Sequence, residues 1–145
     1  MHIKIKFEKI RDVKSPEKAH SDDAGFDFFI PNDIENIEDY KLEGYGYLIP
    51  SGIRLEIPDG YCGVFFSKSS VAVDGYRVGA CVVDAGYRGE VKIHLIGSKH
   101  SKKLEPGRKI VQMLILPVPT VNLIQSEINT ITERADGGFG STGTK

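Results

Sequence analysis

The chain has 145 residues, which at about 100 to 200 residues per domain amounts to one compact domain. Its 40% hydrophobic and 27% charged residues suit a globular protein with a core and exclude a natively disordered chain. Nineteen Lys and Arg against twenty Asp and Glu give a formal net charge of -1. That balance argues against a nucleic-acid partner held by general attraction, so any bound anion needs a few aimed groups.

At the N-terminus Ile3, Ile5 and Phe7 alternate with Lys4 and Lys6, the period of a half-buried strand. The segment lacks the apolar core of a signal peptide, and no apolar run approaches about 18 residues. The expected location is therefore cytoplasmic, or the host cytoplasm or nucleus for a viral protein, with no membrane partner. Ile34 and Ile37 stand three apart behind Asp33 and predict at most a short helix over 33–42, stopped by Gly44 and Gly46. Ile53, Leu55 and Ile57 alternate between Pro50-Ser51-Gly52 and Pro58-Asp59-Gly60, and Val91, Ile93 and Leu95 alternate before Gly97. Val64–Phe66, Val78–Val83 and Ile110–Leu116 are denser runs, suited to strands covered on both faces. With 16 Gly and 7 Pro between such short runs, the fold class is all-β, an antiparallel sandwich, jelly roll or barrel. Cys62 and Cys81 form no CxxC and the four His no HExxH, which disfavours structural zinc and a disulfide framework.

Three segments carry chemistry. Ser67-Lys68-Ser69-Ser70-Val71-Ala72 sets three hydroxyls and one cation within six positions, either a phosphate cradle or a solvated turn capped by serines. Asp84 closes the run 78–83 ahead of Tyr87, Arg88 and Glu90. A carboxylate there can orient water toward a substrate phosphorus, or simply begin an Asx turn. The last twelve residues, Arg134 to Lys145, hold four Gly and a single large apolar side chain, Phe139, too little to repay the entropy of ordering. We therefore divide the chain into a single β domain, 1–133, and a flexible Gly-rich arm, 134–145. The arm reads as a frayed terminus or as a nucleotide lid. For the second reading it offers the Arg134 fork, Ser141 and Thr142 hydroxyls, backbone N–H groups made approachable by glycines such as Gly140, and the flat face of Phe139. The GxGxxG spelled by 138–143 is not a dinucleotide fingerprint, because no helix follows it, and Thr144-Lys145 reverses the P-loop order.

Five segments, Ala24–Asp27, Ser67–Ala72, Gly79–Glu90, Gly107–Met113 and Arg134–Gly143, stand in the order and at about the spacing of motifs in the trimeric dUTP pyrophosphatase (dUTPase) family, which the chain resembles over 24–143. The resemblance implies a jelly-roll-like subunit, a homotrimer with sites shared between subunits, and hydrolysis of dUTP to dUMP and pyrophosphate with Mg2+, limiting uracil in DNA and supplying dUMP for dTMP synthesis. It implies that Asp84 activates water for attack on the α-phosphorus and that Tyr87 packs on deoxyribose and refuses a 2′-hydroxyl. Backbone at Val78 and Gly79 would read uracil, and Lys68, Ser69, Ser70 and Gln112 would hold phosphates. Arg134, Gly140, Ser141 and Thr142 would clamp the outer phosphates while Phe139 covers the base. No side chain is implied as a direct metal ligand, the Mg2+ being held by phosphates; Asp27 would be structural or would help the metal through water.

The chain departs from the family pattern at three places. Lys68 replaces the usual arginine, keeping charge and losing the fork; Cys81 stands where glycine is common; and Arg108 reverses a common aspartate. The related deoxycytidine triphosphate deaminases share the fold but rely on a glutamate where this chain has His94, which we read as a strand-face residue. A nucleotide sensor without catalysis is the other rival, and the presence of Asp84, Tyr87 and Gln112 favours the enzyme.

Overall fold

Alternation along the chain does become strand where both flanks carry turn residues. The computed structural model describes residues 2–143 and 145, and its strands are β1 (Lys6–Lys9), β2 (Phe26–Phe29), β3 (Lys41–Leu42), β4 (Gly46–Pro50), β5 (Ile53–Glu56), β6 (Tyr61–Ser67), β7 (Arg77–Val78), β8 (Val82–Val83), β9 (Lys92–Ile96) and β10 (Lys109–Pro117). All pairings are antiparallel: a pair β1-β5 and two four-stranded sheets ordered β2-β10-β6-β8 and β3-β4-β9-β7. Phe28, Phe65, Val111 and Met113 from one sheet meet Tyr47, Ile49, Ile93 and Leu95 from the other in a single core. Burying each such side chain contributes about 2 kcal/mol, so this shared layer holds the two sheets together. Phe28 sits edge-on to Phe65 at 5.1 Å between ring centroids. The molecule is the expected all-β antiparallel fold.

Several expectations need correction. The N-terminal alternation is real, but the strand spans only Lys6–Lys9 and its apolar face is not covered: Phe7 is 47% exposed. It pairs with β5 alone and borders an apolar pocket of about 150 Å3 with Phe26, Leu55 and Ile115. The helix expected over 33–42 shrinks to a 3-10 turn, Ile37–Tyr40, because Asn36 rather than Asp33 caps it, accepting from the Glu38 N–H at 3.1 Å. The serine segment carries a one-turn helix, α1 (Ser69–Val73), anchored by buried Val71. The run Val78–Val83 is not one strand but two short ones in different sheets, and the chain crosses between the sheets at residues 79–81. Strands β2 and β4 escaped prediction because Asp27 interrupts the first and Gly46 and Pro50 clip the second to three apolar residues.

A brace fixes the segment after the crossing. Glu90 accepts from the Arg11 guanidinium at 2.9 Å and from the Gly52 N–H at 3.0 Å, tying the end of the 84–90 turn to the N-terminal strand region. At the other end of α1, Arg108 and Lys102 pair with Asp74, so Arg108 clamps the helix terminus to the start of β10.

Candidate active site

Strand β8 ends at Val83, and its two residues are pinned to Val64 and Gly63 of β6. Asp84 therefore leaves a fixed ladder as the first residue of a turn, its side chain exposed. The turn closes through the Tyr87 N–H on the Asp84 carbonyl at 3.1 Å, with the Arg88 guanidinium on the Ala85 carbonyl. Tyr87 donates its hydroxyl to the Glu90 carbonyl at 2.7 Å, which locks the ring while leaving it 46% exposed. Asp84 and Tyr87 share a cleft of about 280 Å3 whose walls include Phe65, Leu48 and the crossing residues Ala80 and Cys81. The Cys81 carbonyl accepts from the Phe65 N–H at 2.9 Å, so the residue at the glycine-prone position is held by its backbone and lines the cleft. An exposed carboxylate beside a rigid aromatic face and an apolar wall can orient water at a ligand seated there.

A second cluster forms where β2, β6 and β10 meet. Asp27 is 4% exposed, and its carboxylate oxygens take the Lys68 ammonium at 2.5 Å and the Lys109 ammonium at 3.2 Å. Two lysines thus fill the two oxygens that a single arginine fork would span. Gln112, the cross-strand partner of Asp27, donates to the Ser67 carbonyl at 3.4 Å. It needs the bare Gly25 beside it, since a Cβ there would stand 3.1 Å from the Gln112 Oε1. Ser69 and Ser70 are exposed on α1 next to Lys68. Among the described residues no three His, Cys, Asp or Glu side chains group as a metal cage.

Burial by itself would raise the Asp27 pKa, but the bonds and charges of Lys68 and Lys109 outweigh it and hold the carboxyl below its ordinary value. A depressed carboxyl stabilises the fold above its unfolded pKa of about 4 and loses that contribution as pH falls through the folded value. Thermal unfolding followed from pH 7 down to pH 3 should show this acid loss, and Asp27→Asn should abolish that part of it while costing about 2 kcal/mol at pH 7.

The expected site residues therefore fall into three places on one chain. Asp84 and Tyr87 line the cleft, with Val78 and Gly79 just ahead of its wall. Lys68 belongs to the ion-pair cluster, with Gln112 across from Asp27 and Ser69 and Ser70 next to Lys68 in the chain, and none of the four lines the cleft. Arg134, Phe139, Gly140, Ser141 and Thr142 lie beyond β10 in a stretch without strand or helix among the described residues. There Arg134 donates to the Gly137 carbonyl at 2.6 Å, and the Gly138 N–H donates to the Ser141 hydroxyl at 2.7 Å, both local contacts. The stretch without strand begins at Val118, ahead of the glycine-rich residues, and Leu123 is 96% exposed. Lys92, which lines the cleft, and Lys109 were not singled out from the sequence. Alternation around buried Ile93 would have placed Lys92 and His94 together on the face away from the core.

The family model for dUTPase matches residues 11–143. The chain is 37% identical to the deoxyuridine 5′-triphosphate nucleotidohydrolase of Alkaliphilus metalliredigens, covering 97% of this chain and 98% of that protein. It is 39% identical to the protein of the same name from Clostridium tetani, with 97% and 96% covered. Its fold is similar to that of the dUTPase of Staphylococcus bacteriophage 80alpha solved with dUpNHpp, at a TM-score of 0.81 and 25% identity, with 97% of this chain and 99% of that chain covered.

Proposed function

The chain belongs to the dUTPase family and hydrolyses dUTP to dUMP and pyrophosphate, and we propose that the cleft beside Asp84 and Tyr87 is where it does so. The observation that carries this reading is the exposed Asp84 carboxylate at the end of a pinned strand, in one cleft with a locked tyrosine ring. A water held by Asp84 attacks the α-phosphorus and gives its proton to the carboxylate. The bond from that phosphorus to the bridging oxygen breaks, and its electron pair leaves with pyrophosphate. Tyr87 cannot swing aside, because its hydroxyl is spent on Glu90, so its ring forms a wall against deoxyribose where a 2′-hydroxyl has no room. Backbone groups at Val78 and Gly79 take the uracil edge.

Lys68, Ser69, Ser70 and Gln112 hold phosphate oxygens, and Lys68 is already aimed by Asp27. None of the four lines the cleft of its own chain, which supports a homotrimer in which one subunit supplies the cleft, another the phosphate cluster and a third the arm. In the arm Arg134, Gly140, Ser141 and Thr142 close on the outer phosphates and Phe139 covers the base, excluding water. Mg2+ is the cofactor, held chiefly by the triphosphate itself, and it offsets charge on the phosphate oxygens. The described residues fit that arrangement, since the one buried carboxylate near the phosphate cluster is engaged by two ammonium groups. No helix among the described residues is long and apolar enough to cross a membrane, and we place the enzyme in the cytoplasm.

The test is pyrophosphate release with Mg2+ from dUTP, dCTP, dTTP and UTP. Release from dUTP should exceed that from the other three by a hundredfold, on the order expected where a pocket reads hydrogen bonds and refuses a clash. Ammonia from dCTP would instead favour the deaminase reading.

A further inference from the structure

At the crossing over residues 79–81 the Ala80 backbone donor turns from both sheets to a side chain. Up to Gly79 the chain runs along β9, and the Gly79 N–H donates to the His94 carbonyl at 2.9 Å. From Cys81 onward it belongs to the ladder of β6, through the Phe65 N–H on the Cys81 carbonyl and the pairs Val82–Val64 and Val83–Gly63. Ala80 sits between the two, and its N–H donates to the Nδ1 of His94 at 2.9 Å. Gly79 is the residue that admits the ring, since a Cβ built there would collide with the His94 imidazole. Accepting at Nδ1 requires the unprotonated nitrogen there, so the ring proton of neutral His94 resides on Nε2.

We propose that His94 is a positioning residue for base recognition: its Nδ1 fixes the sheet crossing, and so the backbone at Val78 and Gly79 that receives the pyrimidine. This rests on the reading above that these groups take the base. Asp84 is held separately, by the β8 ladder on β6, so loosening the crossing disturbs recognition more than bond cleavage.

The experiment compares His94→Asn with His94→Gln in the full chain, measuring kcat and KM for dUTP and the ratio of kcat/KM for dUTP over dTTP and dCTP. The two amides match in polarity and differ in reach: the Asn oxygen stands where Nδ1 stands, whereas the Gln oxygen extends toward the place of Nε2. His94→Asn should keep KM and the ratios within about twofold of the parent. His94→Gln should raise KM about tenfold and lower the ratios by a similar factor, with kcat changed less than about threefold, the size expected for one lost backbone hydrogen bond in a site. Exchange of the Ala80 amide proton should be faster in His94→Gln than in His94→Asn. Equal KM and equal ratios in the two variants, or a loss confined to kcat, would overturn the proposal. A parent enzyme indifferent to the loss of the Asp84 carboxylate would instead overturn the site reading beneath it.

Discussion

Asp84→Asn lowers kcat for dUTP by about a thousandfold, within the range that a general base contributes, and leaves nucleotide binding nearly unchanged. The substitution keeps shape and removes only the proton acceptor. The side chain is exposed at the start of a turn closed by backbone and by other side chains, so the fold loses no support with it. Removing a negative charge near a polyanionic ligand cannot weaken binding through charge, and a Kd for dUpNHpp equal to or tighter than the parent's is expected. Pyrophosphate release gives kcat and calorimetry gives Kd. Turnover within tenfold of the parent would show that another group activates the water.

Ending the chain at Glu133 removes the glycine-rich arm and lowers kcat/KM for dUTP by about a hundredfold or more, without moving the thermal midpoint. The second half of that expectation follows from exposure: Phe139 and its neighbours bury nothing against their own domain, and the polar contacts of Arg134 and Ser141 are local. An element that packs on nothing contributes nothing to the free energy of unfolding. The first half follows from the proposed closure, in which phosphate contacts and a stacked ring are lost and bulk water enters. Phe139→Ala isolates the ring and should cost about tenfold, the scale of one stacked aromatic on a base. Steady-state kinetics beside a melting curve separates the two effects, and a lowered midpoint would show that the arm is structural.

Much of this was readable from residue order. The alternations at Ile53–Ile57 and Val91–Leu95 mapped onto β5 and β9 because one face of each is covered by the opposite sheet of the same chain. The same pattern misled at Ile3–Phe7, since periodicity announces an apolar face and says nothing of which polypeptide covers it. The run 78–83 was apolar enough for one strand, and only long-range pairing could divide it between two sheets. Asp84 and Tyr87 were visible as chemistry at a strand end. The pairing of Asp27 with Lys68 and Lys109 was not, because these residues lie 41 and 82 positions from it and meet only once β2, β6 and β10 align. His94 was legible as a face residue and silent about its partner.

In the proposed trimer, an arm whose contacts with its own domain reach no farther than Thr132 and that closes on a neighbour would put the parts of one working site under separate inheritance. A chain without its carboxylate still carries a sound arm, and a chain without its arm still carries a sound carboxylate. Two alleles, each inactive when it is the cell's only copy, would build some complete sites when expressed together. Damage at Asp84 and damage at Phe139 would then complement each other, whereas two different lesions within one cleft would not.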